Sequence, residues 1–138
     1  MGGIALAMKA ADPSIRTIGV SMARGPVMIE SVRQGRVVQL PEEPTLADSL
    51  MGGIGLENRY TFNLIRTTVD DYVVLNEDEI AAAMVYALRT ERLVVEGGGA
   101  VAFGAVLHDK LDNAGQHIVV VISGGNVDVS KLLELAVD

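Results

Sequence analysis

The stretch His117-Ile-Val-Val-Val-Ile-Ser-Gly-Gly-Asn-Val-Asp128 decides how this chain is read. Residues Ile118 to Ile122 are all β-branched and apolar, so a strand made from them leaves no face suited to water. That pattern fits a central strand of a parallel sheet, covered on both sides, and not a half-exposed antiparallel one. The run stops at Ser123-Gly124-Gly125-Asn126, where glycines permit positive φ and let a ligand approach the backbone closely. The Ser123 hydroxyl is then expected at the carboxyl end of the strand, where open α/β sheets bind their ligands.

Working outward, Leu93–Glu96 reads as a strand and Gly97–Ala100 as a turn into a helix whose small residues Ala102, Gly104 and Ala105 allow close packing on a sheet. Asn76 caps a helix, with Glu79 in capping-box position and Ile80, Met84, Ala87 and Leu88 as its apolar stripe. Asp70–Leu75 is the strand before it. Leu56–Thr67 reads as a helix presenting Leu56, Tyr60 and Leu64, and Arg36–Leu40 as a short edge strand. Gly25–Gln34 is a helix with Pro26 in its first turn and Gly35 just past its end. Arg16–Val20 is a strand, Lys131–Val137 a last helix, and Met1–Ala11 a first helix stopped by Asp12-Pro13, because the residue before a proline leaves the α region. Strands alternating with helices imply right-handed βαβ units: an α/β fold of three layers, a mainly parallel sheet with helices on both faces, in one domain over residues 1–138.

A chain of 138 residues buries about 68–70% of its unfolded surface on folding. With 49% hydrophobic and 21% charged residues it has the composition of a globular protein, not of a disordered one. Its net charge of −7 and the lack of any stripe of Lys and Arg argue against nucleic acid as a partner. It contains no cysteine, so it holds neither disulfides nor thiolate metal sites, and no apolar run reaches the length of a membrane span. The expectation is a soluble cytoplasmic protein.

Five segments, taken in order, carry a resemblance: Gly3-Ile4-Ala5, Thr45-Leu46-Ala47-Asp48, Val69-Asp70-Asp71 with Glu77-Asp78-Glu79-Ile80, Val95-Glu96-Gly97-Gly98-Gly99-Ala100, and Ser123-Gly124-Gly125-Asn126-Val127-Asp128. Each is weak alone. Together they resemble the threonine dehydratase and serine racemase family of fold-type II pyridoxal-phosphate (PLP) enzymes, a group that includes the dehydratase associated with hydroxyectoine breakdown. The resemblance implies that this chain is the C-terminal part of the large domain of such an enzyme, with the N-terminal half and the small domain absent. It implies Ser123 and Gly124 at the pyridine nitrogen, Glu96 near the ring, Gly53 in the turn against the ring, and Gly2 and Gly3 at the edge of the phosphate loop. Ser21 stands where racemase-like relatives carry a metal-binding glutamate, so no metal site is expected.

PLP chemistry needs one amine to link covalently to the cofactor. The three lysines, Lys9, Lys110 and Lys131, lie in or beside helices, and the family's lysine belongs to an N-terminal segment that is not in this chain. The implied activity is elimination of water from a serine- or threonine-like amino acid followed by release of ammonia, with no catalytic residue in this chain, no PLP bound by it alone, and no activity by itself. Homo-oligomerisation is expected from the apolar surface that half a domain exposes.

Two other classes fit parts of the sequence. One is a non-catalytic α/β module that binds or self-associates. The other is a nucleotide-binding enzyme using Gly97 to Ala102, which spells G-x-G-x-x-A but lacks the acidic residue expected about 20 residues later. Glu96 also reads simply as an exposed strand end, Ser123 as a strand-to-helix turn residue, and Glu77-Asp78-Glu79 as a solvated helix first turn. His108 and His117 have no partners at ligand or triad spacing.

Overall fold

The computed structural model describes residues 1–112 and 115–137. In chain order its elements are α1 (Gly2–Ala11), β1 (Ile18–Met22), α2 (Val27–Gln34), a single 3-10 turn (Asp48–Leu50), α3 (Thr61–Thr68), β2 (Asp71–Leu75), α4 (Glu77–Tyr86), α5 (Gly97–Leu107) and α6 (Val129–Ala136). A π turn, Ala87–Glu91, continues α4 and ends at Arg92 with φ of 63°.

Among the described residues β1 and β2 form a parallel pair, with Val20 opposite Val73 and Met22 opposite Leu75. Alternation along the strands sends side chains to both faces. On one face Val20, Met22 and Leu75 join Ile80, Ala83 and Met84 of α4, Ala100 and Val101 of α5 and Leu132 of α6. On the other, Tyr72 packs with Ala5 of α1, Met28 and Val32 of α2, and Ile65 of α3. The fold is α/β, a parallel sheet with helices on its two faces, as the sequence pattern implies.

Local chemistry explains most boundaries. Asp12 leaves the α region at φ −151° ahead of Pro13, and Gly35 closes α2 in the left-handed region at φ 68°. Asn76 and Glu79 form the full capping box, each side chain accepting from the other residue's backbone N–H. Gly19 lies close under Tyr72, and a Cβ there would stand 3.1 Å from the ring, which would have to give slightly.

Five expectations need correction. The helix read over Leu56–Thr67 begins only at Thr61, because the Asn58 side chain accepts the Phe62 N–H and holds the preceding loop; Phe62 and Ile65 are buried, while Leu56 and Tyr60 face solvent. Arg36–Leu40 forms no strand, since the Val38 N–H goes to the buried Ser31 hydroxyl at 3.1 Å instead of to a ladder. Gly97–Ala100 is not a turn before a helix but the first turn of α5 itself, with Glu96 as its N-cap. Leu93–Glu96 is extended without being part of the sheet, its Glu96 N–H meeting the Gly124 carbonyl at 3.2 Å. Ile118–Ile122, expected as the buried central strand, pairs with no strand among the described residues, and Val119 is 90% exposed. A run that is apolar on both faces requires cover on both sides and neighbours along both edges; here only Val120 is half-buried, lining a shallow cavity with Tyr86, Phe103, Val106 and Leu107.

Asp70 ties the pieces together. Its carboxylate takes Lys9 of α1 at 2.7 Å and the Thr17 N–H at 2.7 Å. The hydrogen bond from Lys9, then that from Thr17, holds the Asp70 carboxyl below its ordinary value. A depressed carboxyl stabilises the fold above the unfolded pKa, about 3.9, and that contribution disappears as pH falls through the lower folded value. With Asp70 partly exposed, the Lys9 pair is worth less than about 1 kcal/mol. Urea unfolding of the wild type is therefore expected to weaken steadily from pH 5 to about pH 3, and D70N to show a shallower slope over that window; identical slopes would contradict the assignment.

Candidate functional site

Three consecutive glycines open α5, and each lies where the chain passes too close for a side chain. A Cβ on Gly97 would run into the Leu46 carbonyl, one on Gly98 into the Ser49 hydroxyl, and one on Gly99 into the Ser123 carbonyl. The N-terminus of α5 is thus a hub on which the Thr45–Leu50 segment and the Ser123–Asn126 loop both rest. Ala47, fully buried, anchors the first of these in the main core.

The second is held by Glu96. Its N–H donates to the Gly124 carbonyl at 3.2 Å, and its carboxylate accepts the Asn126 N–H at 3.2 Å while packing on Gly124. Gly124 takes φ of 87°, in the left-handed region, so a side chain there would be strained as well as crowded. The Ser123 carbonyl points into the hub, whereas its side chain lies on the exposed rim. No protein partner holds the Ser123 hydroxyl among the described residues.

Of the residues singled out from the sequence, the structure brings Ser123, Gly124 and Glu96 into one cluster. Gly53 sits on the exposed loop after the 3-10 turn, and Gly3 is exposed in the first turn of α1. Gly2 packs against Leu64 of α3, so it belongs to the α1–α3 contact and not to the α5 hub. The acidic run is more than a solvated first turn. Glu77 accepts from the Thr45 hydroxyl at 2.8 Å and the Leu46 N–H at 2.7 Å. Burial pushes the Glu79 carboxyl up, but hydrogen bonds from Lys110 and the Asn76 N–H outweigh it and leave it below its ordinary value. Glu77 and the Thr45–Ser49 segment were legible as residues, but their mutual contacts and their rest on α5 were not, because contacts over long separations are announced by no local pattern.

The geometry also bears on which ligand fits. At all three glycines of the α5 N-terminus, chain atoms lie where a side chain would begin. The G-x-G-x-x-A match is accounted for by chain packing. An exposed, uncommitted hydroxyl at Ser123 instead suits a group that contacts the rim beside Glu96. Among the described residues no group of three acidic or histidine side chains could hold a metal ion, and no helix is long and apolar enough to cross a membrane.

Comparison with known proteins is consistent across sequence and structure. Residues 1–124 match the model of the family described as pyridoxal-phosphate dependent enzyme. A putative threonine dehydratase of Sinorhizobium fredii is 46% identical over 127 residues, covering 92% of this chain and 38% of that protein. An L-threonine ammonia-lyase of Thermotoga maritima is 40% identical over 132 residues, covering 96% of this chain and 32% of that protein. The structure of maize serine racemase superposes with a TM-score of 0.86 at 32% identity, over 96% of this chain and 42% of that one. The chain thus spans 38% and 32% of the length of these two curated relatives.

The hub makes a prediction with a built-in control. Ala favours a helix over Gly by about 1 kcal/mol, while in G98A the new methyl displaces the Ser49 hydroxyl, which can rotate away, so a net cost below about 1 kcal/mol is expected. In an S49G background that displacement is gone, and G98A is expected to stabilise by up to about 1 kcal/mol. Equal effects in both backgrounds, measured by urea unfolding, would remove Ser49 from the α5 contact.

Proposed function

The chain belongs to the family of pyridoxal-phosphate dependent enzymes, and from that premise we propose that it is the C-terminal portion of the large domain of a threonine- or serine-type dehydratase. The relatives named threonine dehydratase and L-threonine ammonia-lyase support the reaction class, and the fraction of their length that this chain matches supports the reading as a portion. The hydroxyectoine-related dehydratase is one member of the same proposal. The observation that carries it is the Ser123 hydroxyl, exposed and uncommitted on a rim that Glu96 fixes in place.

When bound, PLP draws electrons from the α-carbon of an amino acid, which allows a proton to leave that carbon and a β-hydroxyl to leave as water, ammonia following by hydrolysis. The residues of this chain contribute position and polarity. Ser123 would contact the pyridine nitrogen with a neutral hydroxyl, which, unlike an aspartate, does not hold a proton on that nitrogen. In that role Ser123 would favour elimination of a β-hydroxyl by leaving the nitrogen without a held proton. Gly124 would bring backbone close to the ring, Glu96 fixes the loop through the Asn126 N–H, Gly53 would lie against the ring face, and Gly2 and Gly3 would flank the phosphate. The substrate is a small hydroxy amino acid in a cytoplasmic enzyme, and no metal takes part.

This chain by itself is proposed to be inactive. Lys9 pairs with Asp70 and Lys110 with Glu79, each at 2.7 Å, and Lys131 lies in the first turn of α6. None is presented to Ser123 by the contacts that hold the hub. Incubation with PLP is expected to give neither a lysine-linked chromophore nor threonine-dependent ammonia release. A single lysine trapped by borohydride in one-to-one ratio, with turnover, would overturn the reading as a portion.

One observation favours a self-associating module as a second reading. Ile118, Val119, Val121 and Ile122 are all exposed on one extended segment, an unprotected apolar edge. Light scattering is expected to find an oligomer, and a monomer at concentrations that saturate weak association would count against it.

A further inference from the structure

The loop that rests on the α5 hub is gripped from two directions, and neither grip touches Ser123 itself. Arg24, two residues beyond the end of β1, donates to the Pro44 carbonyl. Glu77, two residues beyond the end of β2, receives the Leu46 N–H on one carboxylate oxygen and the Thr45 hydroxyl on the other. The two side chains are themselves 4.0 Å apart. The carboxyl ends of the parallel pair therefore each send one charged side chain to the same short stretch, Arg24 to Pro44 and Glu77 to Thr45 and Leu46.

What these residues carry follows from the next contacts. The Thr45 hydroxyl also accepts the Ala47 N–H at 3.1 Å, which closes a tight turn around the fully buried Ala47. The Leu46 carbonyl lies directly over Gly97, and Gly99, two residues on in the same helical turn, meets the Ser123 carbonyl. Only about one helical turn of backbone separates the gripped loop from the Ser123 loop, with no side chain between to absorb a shift. A charge-assisted pair of hydrogen bonds on a largely buried carboxylate is strong and directional, and the Glu77 side chain is only 20% exposed.

We infer that Glu77 is a positioning residue for the Ser123 rim, acting through Leu46 and the glycine turn of α5, with Arg24 as its counterpart on Pro44. The inference rests on the reading of Ser123 as the cofactor-facing group, but the coupling itself is a property of this chain alone. Glu77 touches neither Ser123 nor the ring position. It sets the height of the α5 N-terminus, and so the place of the Ser123 backbone, from the ends of the two strands.

The test follows backbone amides by NMR and hydrogen exchange in the wild type, E77A, E77Q and T45V. In E77A the amides of Leu46 and Ala47 are expected to exchange about tenfold faster or more, and those of Glu96, Gly99 and Asn126 to move in shift and to exchange faster as well. The Ala23 and Asp70 amides, bonded to Leu75 and Thr17, are expected to stay as they are and show that the sheet is intact. E77Q keeps an acceptor for the Leu46 N–H and is expected to restore most of the pattern, and T45V, which removes one bond only, to fall between. If E77A unfolds the chain, E77Q and T45V still report the coupling. Changes confined to residues 45–47, with Glu96, Gly99 and Asn126 unmoved, would overturn the inference. Since no readout involves PLP, that outcome is separate from a failure of Ser123 to contact the cofactor.

Discussion

The absence of three side chains organises the site. At Gly97, Gly98 and Gly99 the first turn of α5 meets a carbonyl from one loop, a hydroxyl from the same loop and a carbonyl from another, all nearer than any Cβ permits. Everything proposed for the site passes through that contact. It lets the Ser123 loop lie on the helix, turns the Ser123 carbonyl inward and so leaves the hydroxyl outward, and allows Glu96 to close over Gly124 and hold Asn126. Glycine at these positions costs helix propensity, about 1 kcal/mol each relative to alanine. The packing they permit is what offsets that cost.

The parts of the fold legible in the sequence are those decided by neighbours a few residues away. The Asn76–Glu79 box, the Pro13 stop of α1 and the Gly35 end of α2 follow from local rules, and the alternation of strands with helices implied a parallel sheet without naming which strands pair. The readings that needed correction were decided by distant partners. Val38 gives its N–H to Ser31, and the α3 start is delayed by Asn58. The Ile118–Ile122 run shows the limit most clearly. Its composition describes a strand that wants neighbours on every side, and no sequence pattern states whether those neighbours are in the same chain.

The site divides along the same line. Ser123, Gly124 and Glu96 were legible because they are near the ends of apolar runs and match family segments, and the structure does bring them together. That the three glycines are packed by chain and not by a ligand was not legible, because glycine spacing is the same for either purpose. Nor was the engagement of Glu77, since an acidic first turn has a sufficient local explanation in the helix dipole. Family membership then rests on matches across residues 1–124, while the dehydratase remains a proposal supported by the names of its relatives and by the place of Ser123 at the rim.

The most direct test of this account is the unfolding free energy of G99A. The methyl would meet the Ser123 and Gly124 carbonyls, backbone atoms that cannot rotate away, so the account expects a loss of about 1–3 kcal/mol or more, with the amide shifts of Gly124 and Asn126 displaced. A G99A variant as stable as the wild type, or more stable as helix propensity alone would make it, with those shifts unchanged, would contradict the close contact on which the placement of Ser123 depends.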